Sequence, residues 1–157
     1  MLTAIGDMHL DKLERHIPGA YKSILSTFDK VVQNEIDRGT PAIVQLGDIF
    51  DNAYPYQIHI HALLQSLYKA NDVEIYLIPG NHDFDDVNNY ALRTIRYLFK
   101  IGFLKGKVFL KPEVVSIDGD KYLFCPHPYV VNDPPKGVRF CFGHFGFEGA
   151  RGDNGYV

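Results

Sequence analysis

Three times along this chain a short apolar run ends at a glycine, gives way to a loop carrying Asp, His or Asn, and is followed by a segment of helical period. The first run, residues 2–5, stops at Gly6 and opens onto Asp7 and His9. The second, 42–46, stops at Gly47 and opens onto Asp48 and Asp51; the third, 73–78, stops at Pro79-Gly80 and opens onto Asn81, His82 and Asp83. Apolar runs this short, bounded by turn residues, read as buried strands. Between them, Tyr21, Ile24, Leu25, Phe28, Val31, Val32 and Ile36 recur at spacings of three and four, from Pro18 to the stop at Gly39. A second stripe, Ile60, Leu63, Leu64, Leu67 and Tyr68, starts behind Pro55 and ends near Asn71. Both read as amphipathic helices. Alternation of this kind predicts an α/β fold with a parallel sheet and right-handed crossovers, in which ligands collect at the carboxyl ends of the strands. All three polar loops fall there.

A third helix is expected over residues 87–101, with Tyr90, Ile95, Leu98 and Phe99 apolar. The pattern then changes to short strands at 108–110 and 114–117, an Asp118-Gly119 turn, and strands at 122–125 and 138–142. The last of these again ends in a Gly followed by a His, at Gly143-His144. With 46% hydrophobic and 13% aromatic residues, the 157-residue chain reads as one domain with a real core. Its net charge of -3 provides no overall positive field for nucleic acid, so any DNA contact is local or supplied by a partner. Cys125 and Cys141 lie in apolar runs of strand character and are read as reduced, buried thiols. The chain opens on a strand rather than a signal segment, and no apolar run approaches the about eighteen residues that span a bilayer, so a cytoplasmic, non-membrane protein is expected.

A strand-end Asp-x-His presents a carboxylate and an imidazole from one turn, both suited to a divalent ion such as manganese, iron or zinc. Alone it is a weak signal, arising by chance in about one chain in five of this size. Gly80-Asn81-His82-Asp83 is far rarer, on the order of once in a thousand chains. Taken singly, Asp7 and Asp48 have ordinary roles as turn formers or caps, and His144 as a core histidine. Taken jointly, four strand ends that each acquire Asp, His or Asn just after a Gly point to a shared site.

Asp7-x-His9, Gly47-Asp48-x-x-Asp51 and Gly80-Asn81-His82-Asp83 resemble the first three signatures of the calcineurin-like metallophosphoesterases, in the same order and on the same strand ends. Within that superfamily the chain is most similar to the nuclease subunit of SbcCD-type recombination complexes, in particular its phage-encoded branch. The features that carry this are Gly-Asp-Ile-Phe-Asp at 47–51, the stretch 123–129, and Phe140-Cys141-Phe142-Gly143-His144. The resemblance implies an αββα metallophosphoesterase sandwich and two divalent metal ions, manganese first, with iron, zinc or magnesium as alternatives. Carried over by position, Asp7 and His9 bind one metal, Asp48 bridges, and Asn81 and His144 bind the other. His82 stands over the scissile phosphate as general acid or charge stabiliser, with Asp51 placed to orient its imidazole. The implied reaction is in-line attack of an activated water on a phosphodiester. Its implied setting is DNA ends in recombination and repair, with an SMC-like coiled-coil ATPase partner and a homodimer formed through the second and third helices. A phosphomonoesterase or small-molecule phosphodiesterase of the same fold is the alternative activity, and a non-catalytic scaffold the alternative class.

One departure stands against these matches. The family closes its site with a Gly-His-x-His signature, and Gly146 occupies the position in Gly143-His144-Phe145-Gly146 where its second His would stand. The expectation is therefore a C-terminally truncated catalytic domain over residues 1–157 that binds metal weakly and has little activity by itself. Other features carry less weight. His59 and His61, two apart on a helix, point to different faces and are expected in solvent. Asp85 and Asp86 are expected to cap the third helix. Arg93, Arg96, Lys100, Lys105 and Lys107 form a loose basic cluster read as a solvated face. Arg151-Gly152-Asp153 is read as a coincidental tripeptide, and His127, between two prolines, as a loop residue near the site.

Overall fold

The computed structural model describes residues 2–14, 16–86 and 90–144. Ten elements follow in order: β1 (Thr3–Ile5), α1 (Ala20–Asp37), β2 (Ala42–Gln45), α2 (Gln57–Lys69), β3 (Glu74–Leu77), α3 (Arg93–Lys100), β4 (Gly106–Val108), β5 (Glu113–Ile117), β6 (Asp120–Cys125) and β7 (Val138–Gly143). The first four strands form a parallel sheet in the order β1-β2-β3-β4, each joined to the next by a helical crossover. The last three form a second sheet, β5-β6-β7, in which β5 and β6 are an antiparallel hairpin and β6 and β7 run parallel. The hairpin turns at Asp118 and Gly119, both at positive φ, 50° and 85°, as a two-residue turn of the primed kind requires.

Side-chain alternation along the central strands separates two apolar layers. Ile43, Ile75 and Leu77 face the helices and pack with Leu25, Phe28, Val32, Leu63, Leu67, Ile95 and Phe99. Val44, Tyr76 and Ile78 face the second sheet and pack with Phe109, Ile117, Tyr122 and Phe124. The layers therefore run helices, sheet, sheet; the outer helical layer of an αββα sandwich has no member among the described residues. Phe109 and Phe124 stack in parallel across the inter-sheet layer with centroids 4.3 Å apart.

Several expectations are corrected. α3 begins at Arg93 rather than 87, because the backbone before it is bound elsewhere. The Ala91 N–H donates to the Asp83 carbonyl at 2.8 Å, and Phe84 and Tyr90 form an isolated bridge. Residues 87–89 lie outside the described residues, as do Gly146 and Arg151-Gly152-Asp153. Asp85 is not a helix cap, since the N-cap is Leu92; its carboxylate instead accepts the Tyr54 hydroxyl at 2.6 Å. The fourth strand sits two residues earlier than expected, because Gly106, at φ 131°, lets the chain pass against Ile75, whose carbonyl a Cβ there would overlap. Cys125 is buried but Cys141 is exposed, since β7 is an edge strand among the described residues. His59 and His61 do point apart, yet His59 points inward, 1% exposed, edge-on between the rings of Tyr21 and Tyr56. The basic cluster is exposed, as expected of a solvated face, with Lys107 paired with Glu113 at 2.5 Å and Arg96 donating to the Tyr90 hydroxyl at 3.3 Å.

The edge strand β1 is tied to the end of α1 through Glu35. Its carboxylate accepts hydroxyl bonds from Thr3 at 2.6 Å and Thr40 at 2.7 Å, and a guanidinium bond from Arg38 at 2.9 Å. The Thr3 and Thr40 bonds, with Arg38, hold its pKa below the ordinary 4.5 against the opposing effect of burial. A depressed carboxylate pKa stabilises the fold above the unfolded-state value, and that contribution is lost as pH falls through the folded value. Glu35→Gln is therefore expected to lower the melting temperature at pH 7, with the gap to wild type closing as pH drops below about 4. A gap of the same size at pH 3 and pH 7 in thermal melts would show that charge plays no part.

Candidate metal centre

In each polar loop the chemistry-bearing residues are flanked by apolar ones that are driven into the core. Met8 and Leu10 are buried around His9, and Ile49 and Phe50 are buried directly after Asp48. The His9 N–H donates to the Asp48 carbonyl at 2.8 Å and the Leu10 N–H to the Ile49 carbonyl at 2.9 Å, so the first two loops are laced by backbone. Asp7, His9 and Asp48 all adopt positive φ, 45°, 43° and 50°. For non-glycine residues this costs roughly 1–2 kcal/mol each and persists only where the surroundings enforce it. Two glycines make room for the loops. A Cβ on Gly47 would overlap the His144 ring, and one on Gly80 would overlap the Asp48 carboxylate.

Asp48 is the focus. His144 Nε2 lies 3.5 Å, His9 Nε2 3.7 Å and His82 Nε2 4.0 Å from its Oδ2. Ligand atoms of Asp7, Asp48 and His144 lie within 4.8 Å of one another. The His144 Nδ1–H donates to the Leu46 carbonyl at 2.8 Å, which in a neutral imidazole leaves the Nε2 lone pair free. That lone pair faces the Asn81 Oδ1 at 2.9 Å as well as Asp48. Acceptors that crowd together without a proton among them are stabilised by a cation. Carboxylate, imidazole and amide oxygen form a donor set for a hard or borderline divalent ion, so these residues fit such an ion. A backbone carbonyl on the far nitrogen of a ligand histidine also fixes its ring.

The seven residues singled out from sequence, Asp7, His9, Asp48, Asp51, Asn81, His82 and His144, are brought into one locus. Asp51 departs from its expected contact. His82 Nδ1 lies 3.1 Å from the Asp51 backbone carbonyl and 3.8 Å from its carboxylate, whereas the carboxylate is 3.3 Å from His9 Nδ1. His9 and His82 meet edge to face, centroids 5.2 Å apart.

The residues that hold the loops in place were not visible beforehand. Asp83 is fully buried and its carboxylate accepts three backbone N–H bonds, from Phe50 at 2.8 Å and from Ile49 and Gly80 at 3.1 Å. Burial pushes its pKa up to about 6, against the pull of those three donors, and the nearby Asp48 charge raises it further. Gln45, also buried, closes the Gly47 turn with its amide, donating to the Gly47 carbonyl and accepting from the Gly47 N–H, both at 2.8 Å. Asp11 joins the first loop to the second, accepting from the Asp51 N–H at 2.5 Å and the Asn52 amide at 2.6 Å. Its place four residues after Asp7 offered no signal; Asp83 stood within a recognised tetrapeptide, without a role.

Comparison with known proteins is consistent with this geometry. Residues 1–149 match the calcineurin-like phosphoesterase family model. The chain is similar to the DNA double-strand break repair protein Mre11 of Halobacterium salinarum, 35% identical over 81 residues that cover 50% of this chain and 21% of that protein. It is also similar to Mre11 of Methanocaldococcus jannaschii, 20% identical over 129 residues, covering 80% of this chain and 33% of that one. In both cases the matched region is a third or less of the relative's length. Among solved structures, the Pseudomonas putida nuclease MPE superposes with a TM-score of 0.54 at 15% identity, over 88% of this chain and 58% of that one, which shows a shared fold.

Proposed function

We propose that this chain, which belongs to the calcineurin-like phosphoesterase family, is a metal-dependent phosphodiesterase of nuclease type that acts on DNA ends. The observation that carries the reading is the convergence of three imidazoles on the buried Asp48 carboxylate at the carboxyl ends of the strands, with the Asn81 amide oxygen against one of them, His144. The similarity to relatives named as DNA double-strand break repair proteins supports DNA as the substrate and recombinational repair as the setting. From the resemblance of its signatures to the nuclease subunit of SbcCD-type complexes, an SMC-like coiled-coil ATPase is the partner we assign.

Asp7 and His9 would hold one divalent ion, Asn81 and His144 a second, and Asp48 would lie between them. When bound, such ions supply charge neutralisation at the phosphoryl oxygens and a water of lowered pKa. Manganese is the ion we assign. The chain's own residues do the rest. Asp48 uses its other oxygen to accept the His82 N–H at 3.1 Å, which fixes the loop that carries His82. The Asp51 carbonyl receives His82 Nδ1, so His82 Nε2 is held on the open side of Asp48. With Nδ1–H given to that carbonyl, it is the imidazolium form whose Nε2–H can donate to a phosphoryl or leaving oxygen. The Asp51 carboxylate stands 3.3 Å from the far nitrogen of His9, a buried atom that makes no hydrogen bond among the described residues.

End-labelled duplex DNA incubated with the protein and manganese, and resolved on a gel, is expected to shorten, slowly and only at high manganese in keeping with the weak metal binding expected of this chain. The reaction should stop with chelator, while p-nitrophenyl phosphate is left intact. Hydrolysis of the monoester without any cleavage of DNA would replace this reading with a phosphomonoesterase, and failure on both with manganese bound would leave a non-catalytic scaffold.

A further inference from the structure

His127 stands at the rim of this site without a part in the chemistry above. β6 ends at Cys125, which pairs with Gly143 of β7, and the His144 N–H donates back to the Cys125 carbonyl at 3.3 Å. The residues that follow β6 therefore start beside His144. The His127 N–H then donates to the Pro79 carbonyl at 3.1 Å, which pins this segment to the loop that carries Asn81 and His82. Its ring stands edge-on to Phe84, centroids 6.4 Å apart and planes at 72°, and Phe84 stacks in turn on Tyr90 at 6.4 Å and 27°. Among the described residues the imidazole meets a ring and no hydrogen-bond partner.

Burial lowers the pKa of this half-buried histidine. A neutral imidazole gains little from a phosphate anion. It offers a flat face, one donor and one acceptor, which is what the edge or face of a nucleobase takes up. The segment that carries this imidazole is held beside both His144 and the loop of Asn81 and His82, and two aromatic rings back it.

We propose that His127 contacts the nucleoside esterified to the scissile phosphate, so that the centre selects nucleotide diesters over small phosphate diesters. The proposal rests on the phosphodiesterase reading for its second half and, for its first, on the placement of His127 beside His144 and the His82 loop. Two measurements separate them. In the magnesium-loaded protein, titration with the dinucleotide dTpdT should move the His127 ring-proton resonance, assigned by its loss in His127→Ala, and inorganic phosphate should not. With manganese, His127→Ala should lower kcat/KM for thymidine 5′-(p-nitrophenyl phosphate) about tenfold and change that for methyl p-nitrophenyl phosphate less than about twofold, with His127→Phe recovering much of the loss.

An equal fall on both esters would overturn the proposal in favour of a general structural role, and so would an unmoved resonance. Hydrolysis of both esters with His127→Ala indifferent would overturn it while the phosphodiesterase reading stands. A wild-type protein that cleaves neither ester, but whose His127 resonance follows the dinucleotide, would leave the contact standing and overturn the phosphodiesterase reading.

Discussion

Asp48→Asn is expected to lower manganese-dependent phosphodiester hydrolysis by about a thousandfold or more, with the fold intact. Asp48 is the residue on which His9, His82 and His144 converge, and it is 6% exposed. An Asn side chain retains a carbonyl oxygen that can accept the His82 N–H, so the loop keeps its anchor. What disappears is the anionic Oδ2, and with it the charge that would hold two cations close together. The same substitution removes a negative charge that acts unfavourably on Asp83, so the metal-free protein should melt no lower than wild type. Manganese titration followed by calorimetry should show a lost or severely weakened site. Wild-type hydrolysis by Asp48→Asn, with manganese bound as before, would mean that the centre does its work elsewhere.

How much of this was legible beforehand depends on whether a feature is local in sequence. The strand ends were, because a Gly followed by Asp, His or Asn after an apolar run is a short pattern, and the α/β alternation dictates that such ends meet. Asp7, His9, Asp48, Asn81, His82 and His144 were found on that logic. The contacts that hold them were not, because they join distant segments. Asp83 and the Ile49 N–H are 34 positions apart, and Asp11 and Asn52 are 41 apart. Burial of a single residue was misread wherever it depended on which side of an element is covered. His59 lies on α2 beside the apolar stripe of Ile60, Leu63 and Leu67, and Tyr21 of α1 closes over it. Cys141 follows a strand pattern yet faces out from an edge. The contact of Asp51 turned on a detail no motif encodes, namely that its carbonyl rather than its carboxylate lies nearer His82.

The largest stability effect is expected at Asp83. Asp83→Ala should destabilise the metal-free protein by about 4 kcal/mol, a large share of the roughly 5–15 kcal/mol that holds a domain of this kind together. The reason lies in what remains behind. The N–H groups of Ile49, Phe50 and Gly80 all point at a site that is 0% exposed, and an unsatisfied buried donor costs about 1–3 kcal/mol. Asp83→Asn provides the internal control. An amide oxygen placed where Oδ2 now stands keeps the bonds from Ile49 and Gly80, but the amide nitrogen then meets the Phe50 N–H, donor against donor. The Asn variant should therefore lose about half as much, in keeping with one orphaned donor and the loss of charge assistance in the other two bonds. Urea unfolding followed by circular dichroism measures both. Because Asp83 joins the loop after β2 to the loop after β3, and so Asp48 to Asn81, the Ala variant should also bind manganese poorly at temperatures where it is still folded. If Asp83→Ala lies within about 1 kcal/mol of wild type, water has replaced the carboxylate as partner of the three N–H groups.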